Sequence, residues 1–416
     1  MSEARKVIDE ETGRAGPNRW RLLTCGTKAR LHFAAVIPPP GRRSVRGRLA
    51  IALVCSSLFV AVVGFVGTPP ASAAVFPVTT ATDGGAGSLR DAFAQASVSG
   101  EANEIVLQPA ETYVLDDCAE GDLDYTGTDP LTITGNGSTI WQTCDERVIE
   151  TDGDITITGA TVSGGNQAGG LGGGVEADTD DVTLVRSTVT DNVASTGGGV
   201  GAIRATLVES TVSGNTASST GGGVWADQTL DATNSTITGN TAGTSGGGLV
   251  VVNTSITLLY VTLVGNTAPA GANLEVQPGG DALVSFASVV ANAQGGGSDC
   301  EIAAGAATTS QGYNFSSDVS CGFGGGPGDI TAGGGPLVGA LGDNGGPTLT
   351  MLPQLGSPLI DKVDCAAAPE VVTNDQRGVA RPQGGACEIG AVEIDAEPAP
   401  TASAPPAVLA PPRFTG

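Results

Sequence analysis

The middle of the chain repeats itself about every 25 residues, and this repeat limits the possible fold more than any other feature of the sequence. The clearest units are LVRSTVTDNVASTGGGV, LVESTVSGNTASSTGGGV and ATNSTITGNTAGTSGGGL. Each unit combines a short strand-like run with an asparagine turn and a glycine triplet. Such a period with β-rich content is typical of a solenoid, because a single coil buries its apolar side chains only by stacking on its neighbours.

Asparagines recur at one place in the repeat, directly after the strand-like run. The series is Asn166, Asn192, Asn215, Asn240, Asn266 and Asn292. A carboxamide carries both a donor and an acceptor, so stacked copies can hydrogen-bond to one another along the solenoid. We therefore predict a structural ladder of Asn192, Asn215, Asn240 and Asn266. The glycine triplets favour close approach of neighbouring coils over a phosphate-binding loop, since none of them opens a helix after a strand.

Aliphatic residues recur at two fixed distances before these asparagines. Three positions before are Val189, Val212, Ile237, Leu263 and Val289, and eight positions before are Leu184, Leu207, Ala232, Leu258 and Val284. Alternation along short strands places them on one face, and coils stacked about 4.8 Å apart would bury them as columns. The columns predict a parallel β-helix and hence an all-β fold.

The regions around the repeat predict the domain organisation. The β-helix is expected over residues 105–345, after an N-terminal strand and helix cap at residues 74–104. In that cap SLRDAFAQASVS (residues 88–99) is predicted to be a short amphipathic helix with Ser88 as its N-cap. Residues 346–395 have lost the repeat and are expected to cover the other end of the solenoid as a disulfide-clamped cap. Residues 396–416 are rich in Pro and Ala and are predicted to be an extended tail.

The N-terminal part of the chain has the organisation of a signal peptide. The basic run RRSVRGR precedes LAIALVCSSLFVAVVGFVG, which extends from Leu49 to Gly67, and an A-x-A site follows at residues 71–73. We predict that residues 1–73 are a leader cleaved before Ala74, so that the protein is secreted or displayed at the cell surface. The alternative is an uncleaved membrane anchor, because the apolar stretch is nearly long enough to span a bilayer.

The charge of the chain excludes several classes of function. Residues 1–73 hold 11 of the 19 Lys and Arg but only 4 of the 43 Asp and Glu, so the remainder carries 8 basic and 39 acidic residues, a net charge of −31. Such a surface repels nucleic acids and anionic membranes. We expect no nucleic-acid partner, and no membrane contact after cleavage. The single histidine, His32, lies in the leader, so the exported chain has neither a Ser-His-Asp triad nor a histidine ligand for zinc.

Six cysteines follow the leader. They form three local couples with separations of 26, 21 and 22 residues: Cys118 and Cys144, Cys300 and Cys321, Cys365 and Cys387. Export makes disulfides plausible, and local pairing is the simplest of the 15 connectivities that six cysteines allow. A metal site or a reactive thiol is the alternative, but no C-x-x-C motif occurs.

Three stretches resemble known families of exported β-helix proteins. STVSGNTASSTGGGV resembles the repeats of polymorphic outer-membrane proteins, and FPVTTATDGGAGSLRDAF resembles the start of secreted bacterial β-helix proteins. The segment LGDNGGPTLTMLPQLGSPLIDKVDC with DQRGVARPQGGACEIGAVE is similar to the choice-of-anchor Q domain. The resemblance implies a right-handed coil and a secreted or cell-surface role, often an adhesive one. It implies no activity, because a fold does not fix a function.

A carbohydrate-active enzyme is the alternative function on this fold. A lyase acting on uronates needs a base and a cation. Arg186 and Arg204 are the weak candidates for the base, although Glu209 stands at the place of Arg186 in the next coil and favours an ordinary ion pair. Calcium is the one possible cofactor, and Asp178, Asp180 and Asp181 are its candidate ligands, with a solvated acidic loop as the alternative.

Ligand contacts are sought among outward-facing aromatic residues. Val224 is expected to point inward, which turns Trp225 outward, and Tyr260 shares the outward column of Arg186. These two are the predicted contacts, whereas Trp141 is expected to pack against a loop. The sequence therefore favours a monomeric, non-enzymatic β-helix that is adhesin-like and binds a polysaccharide or another cell-surface ligand. A polysaccharide lyase or glycoside hydrolase remains the alternative.

Overall fold

The protein forms a parallel β-solenoid of about nine turns in a computed structural model that describes residues 73–394. This confirms the predicted all-β, parallel β-helical fold with very little helix. The predicted leader up to residue 72 and the predicted tail lie outside the described residues.

The regular elements are short, as expected for coils that turn every few residues. In chain order they are β1 (Ala74–Pro77), α1 (Leu89–Ser97), β2 (Asn103–Val106), β3 (Thr112–Leu115), β4 (Leu123–Tyr125), β5 (Leu131–Gln142), β6 (Ile149–Thr151), β7 (Ile155–Ser163), β8 (Asn166–Leu171), β9 (Val175–Val185), β10 (Thr188–Thr190), β11 (Val193–Thr196), β12 (Val200–Val208), β13 (Thr211–Ser213), β14 (Thr216–Ala217), β15 (Val224–Ala226), β16 (Leu230–Thr233), β17 (Thr236–Thr238), β18 (Thr241–Ala242), β19 (Leu249–Val251), β20 (Ser255–Leu259), β21 (Thr262–Val264), β22 (Leu274–Val276), β23 (Ala282–Phe286), β24 (Val289–Ala291), β25 (Cys300–Ile302), β26 (Ala307–Gly312), β27 (Phe315–Ser316) and a 3₁₀ helix (Cys365–Ala367).

A full coil has four faces, which we number in chain order. Face 1 contains β4, β6, the first parts of β9 and β12, β15, β19, β22 and β25. Face 2 contains β1, β2, the first parts of β5 and β7, the second parts of β9 and β12, β16, β20, β23 and β26. Face 3 contains β3, the second parts of β5 and β7, β10, β13, β17, β21, β24 and β27. Face 4 is the separate sheet of β8, β11, β14 and β18.

Aliphatic columns fill the interior of the solenoid. The central residues of face 3 are fully buried and in register: Ile140, Val162, Val189, Val212, Ile237, Leu263 and Val290. The predicted columns are thus correct except in their last member, where Val290 replaces Val289 and Ser285 replaces Val284.

A shift of one residue in that coil explains the error. The turn after face 3 needs a left-handed residue, which is Gly265 (φ +72°) in one coil and Asn292 (φ +57°) in the next. Asparagine tolerates this conformation. Asn292 therefore occupies the place of the glycine that precedes the ladder asparagine, and the alignment by asparagines is one residue out of register.

The buried amides form a continuous ladder inside the turn between faces 3 and 4. The Nδ2 of each of Asn192, Asn215 and Asn240 donates to the Oδ1 of the next asparagine at 2.9–3.0 Å, as far as Asn266. The series then continues through Asn273 to Asp299, at 3.0 Å in each step. Sequence spacing did not predict these last two members, because both lie in the turn that enters face 1.

The N-terminal end of the core is closed by α1. Ser88 is the N-cap, and its Oγ accepts from the Asp91 N–H at 3.2 Å, while the Asp91 carboxylate accepts from Gly87 N–H at 2.7 Å. Leu89, Ala92, Phe93 and Ala96 are buried on the core. The helix was expected at residues 88–99 and spans nine residues within that range.

Residues 346–394, which we call the flanking segment, lie along the side of the solenoid and not across its end as predicted. Their contacts fall on successive coils: Thr348 on Glu209, Gln376 on Thr211 and Thr236, and Ala391 on Thr262. The physical reason is an apolar strip on later coils, where Leu259, Phe286 and Val289 point outward and pack against Leu359, Val363 and Ile389. The loop after β27, with Cys321 and Phe323 in the main core, closes the C-terminal end.

Three disulfides join the local couples that were predicted: Cys118–Cys144, Cys300–Cys321 and Cys365–Cys387. The second fixes the last strand of face 1 to the loop that closes the core, and the third lies within the flanking segment. Within residues 73–394, the single α-helix is far too short to cross a bilayer.

Candidate functional site

Both candidate catalytic arginines are engaged in ion pairs across adjacent coils. Arg186 Nε lies 2.6 Å from a Glu209 carboxylate oxygen, and Arg204 Nη2 lies 2.7 Å from Asp181. The two arginine side chains are more than half exposed, so these are ordinary surface ion pairs of small energetic value. Each guanidinium is thus the partner of a carboxylate on a neighbouring coil, as the sequence favoured for Arg186.

The predicted calcium ligands do not converge, which corrects the expectation from the sequence. Asp178, Asp180 and Asp181 lie where β9 turns from face 1 to face 2, and their carboxylate oxygens do not gather within 4.8 Å of one another. Asp180 accepts from Thr179, and Asp181 pairs with Arg204. In the described part of the chain, the acidic side chains whose oxygens gather within 4.8 Å of one another are Asp122, Asp124 and Glu150.

Tyr260 is also misassigned as a ligand contact. It does point outward from the left-handed bend between faces 2 and 3, with φ +55°, but the flanking segment covers it completely. The Arg381 guanidinium carbon lies 4.1 Å from the centre of its ring. Trp225 lies on the outer side of face 1 as predicted, between Gly201 and Val250, and is half-buried there.

Among residues 73–394, Trp141 is the aromatic side chain that is most open to solvent. It was expected to pack against a loop, yet 46% of it is exposed. It stands on the outer side of face 3 at the end of β5, in register with Val114 on one side and Ser163 on the other. An exposed indole offers a large apolar surface with one hydrogen-bond donor, which suits a ligand that is partly apolar and partly polar.

Hydroxyl groups form two regular columns beside Trp141 on face 3. The threonine column contains Thr139, Thr161, Thr188, Thr211, Thr236 and Thr262. The second column begins at Trp141 and continues with the hydroxyl groups of Ser163, Thr190, Ser213 and Thr238. They arise because the outward positions of T-V-T and T-V-S units stack at the strand spacing of about 4.8 Å.

The flanking segment divides face 3 into a covered and an open part. From Thr211 onward both columns are buried, whereas Thr161, Ser163, Thr188 and Thr190 are half-buried. We call each strand of face 3 a rung, and the three strands that contain Thr139, Thr161 and Thr188 (β5, β7 and β10) the open rungs. They form a flat hydroxyl surface with Trp141 at one margin and the flanking segment at the other.

A second candidate surface is an acidic depression of about 260 Å³ on face 1, next to the N-terminal end. Asp124 and Glu150 are in register on adjacent strands, and Asp122 lies beside them. Burial and the neighbouring Asp124 carboxylate raise the pKa of Asp122 to about 6. Burial and Glu150 also raise the pKa of Asp124.

A buried arginine balances part of this negative charge. Arg147 pairs with Glu150 at 2.7 Å and with Glu176, and its Nε lies 3.6 Å from Asp122. The site therefore combines a carboxyl group whose pKa is raised to about 6 with two carboxylates that pair with Arg147. The sequence contained a signal for this cluster that we did not use, namely the acidic residue at the centre of the x-D/E-x strands of three successive coils on face 1: Asp124, Glu150 and Glu176.

Comparison with known proteins adds no relative from which a role could be taken. No family model matches the chain, and neither a curated protein nor a solved structure is similar to it at a significant level.

Proposed function

We propose that the protein is an exported, non-enzymatic β-helix that binds a polysaccharide at the cell surface or outside the cell. The observation that carries the proposal is the open part of face 3, where the half-exposed Trp141 borders an ordered array of hydroxyl groups. Aromatic surfaces with a few well-placed polar groups are what ligand sites of this kind require. The choice-of-anchor resemblance of the C-terminal region and the leader agree with display outside the cell.

The arrangement of charged groups supports binding over turnover. Arg186 and Arg204 are held in ion pairs with Glu209 and Asp181, and the chain beyond the leader has no histidine. The open rungs present hydroxyls, which hydrogen-bond to a ligand but need an activating base to act as nucleophiles.

A sedimentation assay tests the binding function. The purified chain is incubated with insoluble cellulose, chitin and cross-linked pectin, with and without Ca²⁺, and both the bound protein and the released sugars are measured. We expect retention on at least one polysaccharide without reducing-end or unsaturated products. Release of such products by the wild-type chain would show that the protein is an enzyme.

Export is tested separately from binding. Expression of the full chain in a bacterial host with a secretion apparatus is expected to give a processed product whose N-terminal residue is Ala74. Terminal sequencing of the protein in the medium or cell-wall fraction measures this. A product that retains residues 42–73 in the membrane fraction would support the uncleaved anchor instead.

A glycoside hydrolase is the second candidate, and the acidic depression favours it. A general acid with a raised pKa beside an ionised carboxylate is the arrangement that glycosidases use. Asp122 would supply the acid and Glu150 the carboxylate. If the wild-type chain releases reducing sugars, Asp122→Asn should abolish the release, and Asp178→Asn on the exposed part of β9 should not.

A further inference from the structure

The covered part of face 3 shows how the threonine column binds an amide. Gln376 of the flanking segment lies on two adjacent rungs, where its Nε2 donates to Thr211 Oγ1 at 2.9 Å and its Oε1 accepts from Thr236 Oγ1 at 2.6 Å. Nε2 also reaches the Ser210 carbonyl and the Thr348 hydroxyl. One carboxamide thus satisfies a pair of hydroxyls one strand spacing apart, with the acceptor on one rung and the donor on the other.

The open rungs repeat this hydroxyl pair. Thr161 and Thr188 are in register on β7 and β10, as Thr211 and Thr236 are on β13 and β17. Both are half-buried, and Ala160 and Ser187 before them hold the two strands in the same alignment. The local geometry that receives Gln376 is therefore present a second time, outside the flanking segment.

Trp141 lies within one or two sugar lengths of this pair. Trp141 lies on β5, one strand away from Thr161 and two strands away from Thr188. Along the strand it is displaced by two residues from their column. By strand geometry its distance from the midpoint of Thr161 and Thr188 is about 10 Å. A pyranose ring can stack its C–H face on the indole while a neighbouring residue of the same chain reaches the hydroxyls.

The charges near the open rungs select against anionic chains. Asp191 is exposed directly after Thr190, and Asp145 is exposed near Trp141. The cation nearest to Thr188 in sequence, Arg186, is already paired with Glu209 at 2.6 Å. The chain beyond the leader has a net charge of −31. Uronates, and glycans that carry lactyl carboxylates, would be repelled, whereas a neutral chain would not.

We propose that the open rungs of face 3 bind a neutral chain of N-acetylated amino sugars, such as chitin. The carbonyl of an acetamido group accepts from the hydroxyl of Thr161 or Thr188, as Gln376 Oε1 accepts from Thr236, and a neighbouring pyranose stacks on Trp141. This inference rests on the proposed polysaccharide-binding function and names its ligand and its contact residues.

Calorimetric titration of the purified chain tests the inference. The probes are chitohexaose, cellohexaose and the deacetylated glucosamine hexamer. The variants are Trp141→Ala, Thr188→Val and the matched control Thr183→Val. Thr183 lies on the outer side of face 2 in a comparable strand, so that its variant also loses one hydroxyl and keeps a β-branched side chain. Circular dichroism confirms that each variant is folded.

We expect the wild-type chain to bind chitohexaose at least tenfold more tightly than cellohexaose, because only the former offers acetamido groups. Thr188→Val and Trp141→Ala should each weaken chitohexaose binding by about tenfold, as the loss of one or two buried contacts implies. Thr183→Val should leave it unchanged.

Three results would overturn the inference in different ways. Equal affinity for cellohexaose would exclude acetamido recognition and leave the polysaccharide-binding function intact. Chitohexaose binding that is insensitive to Trp141→Ala and Thr188→Val would place the ligand elsewhere on the protein. Absence of binding to every polysaccharide, soluble or insoluble, would overturn the proposed function as well.

Discussion

At the scale of single residues, asparagine and glycine form complementary pairs across the solenoid. A Cβ added to Gly223 would lie 2.6 Å from the Gly248 carbonyl oxygen and 3.1 Å from the Asn240 Cγ, so the third glycine of each triplet makes room for the ladder. In the coil after Gly248 that place is taken by Asn273, whose own side chain continues the ladder, and Ala293 stands at the register position of the ladder asparagine. The ladder amide can therefore stand either directly after face 3 or directly before face 1, provided that the residue at the other of these two positions has a small side chain.

The ladder predicts a large loss of stability for one substitution. Asn240→Ala removes the acceptor of the Asn215 N–H and side-chain amide and the donor to the Val212 carbonyl. Because these groups are buried, we expect the free energy of unfolding to fall by about 3 kcal/mol. Urea denaturation followed by circular dichroism measures it.

Asn166→Ala is the matched control for this prediction. Asn166 belongs to the same series in the sequence but lies outside the ladder and bonds to the exposed Asp145 at 2.8 Å. Its substitution should cost less than about 1 kcal/mol. Equal effects of the two substitutions would mean that the ladder adds nothing beyond ordinary surface contacts.

At the scale of single elements, α1 shows how a nine-residue helix can be stable. Helices this short are marginal in isolation, so α1 depends on its cap and on the core that it covers. The Ser88–Asp91 capping contacts satisfy the first backbone N–H groups, and Phe93 is 2% exposed against the first coils. The helix stops the stacking of coils at this end, where apolar columns would otherwise meet water.

Phe93→Ala should therefore destabilise the protein strongly. Loss of a fully buried phenylalanine leaves a cavity between α1 and the first coils, and a decrease of about 3–5 kcal/mol in the free energy of unfolding is expected. Differential scanning calorimetry checks this result. Gln95→Ala, on the exposed side of the same helix, should change the stability by less than about 0.5 kcal/mol.

At the scale of the whole molecule, a buried polar network attaches the flanking segment to the solenoid. Arg381 is fully buried as a side chain and contacts Glu393 at 2.5 Å and the Asn234 side chain at 3.0 Å. Glu393 also accepts from the Glu388 N–H at 3.0 Å. Burial and the Glu393 carboxylate raise the pKa of Glu388 to about 9, so this carboxyl group is protonated at neutral pH.

This network predicts a pH dependence of stability. The ordinary pKa of Glu388 is 4.5, and the value of about 9 in the folded state means that the folded protein holds the proton more tightly than the unfolded chain. Stability from this group is therefore complete below pH 4.5 and is lost as the pH rises towards 9. We expect the unfolding midpoint to fall between pH 5 and pH 9, as measured by thermal denaturation.

Glu388→Gln isolates the contribution of this residue. The amide keeps the size of the protonated carboxyl group and does not titrate, so the variant should show a flatter profile across the same pH range. Asp178→Asn serves as the control, because Asp178 is exposed to solvent. This variant should follow the wild-type profile. A profile of Glu388→Gln that is parallel to the wild type would show that another group causes the dependence.

The solenoid and its repeat could be predicted from the sequence, because stacked coils repeat the same contacts and leave a periodic pattern. The local disulfide pairs followed from short separations. The flanking segment could not be placed, since its hydrogen bonds to the solenoid join residues more than 100 positions apart and leave no period. Tyr260 was misassigned for this reason, and Trp141 because an outward position in a strand does not reveal what covers it.

The direction of the amide ladder has a consequence for how the gene can gain or lose repeats. The asparagine of a unit inserted between Asn192 and Asn266 would accept a hydrogen bond from the preceding asparagine and donate one to the next. Both ends of the solenoid would keep their contacts. The ladder ends at Asp299, whose two carboxylate oxygens both accept, one from Asn273 and the other from the Ser317 N–H in the loop after β27. We therefore expect whole repeats to be gained or lost with least cost to stability in the middle coils, between Asn192 and Asn266.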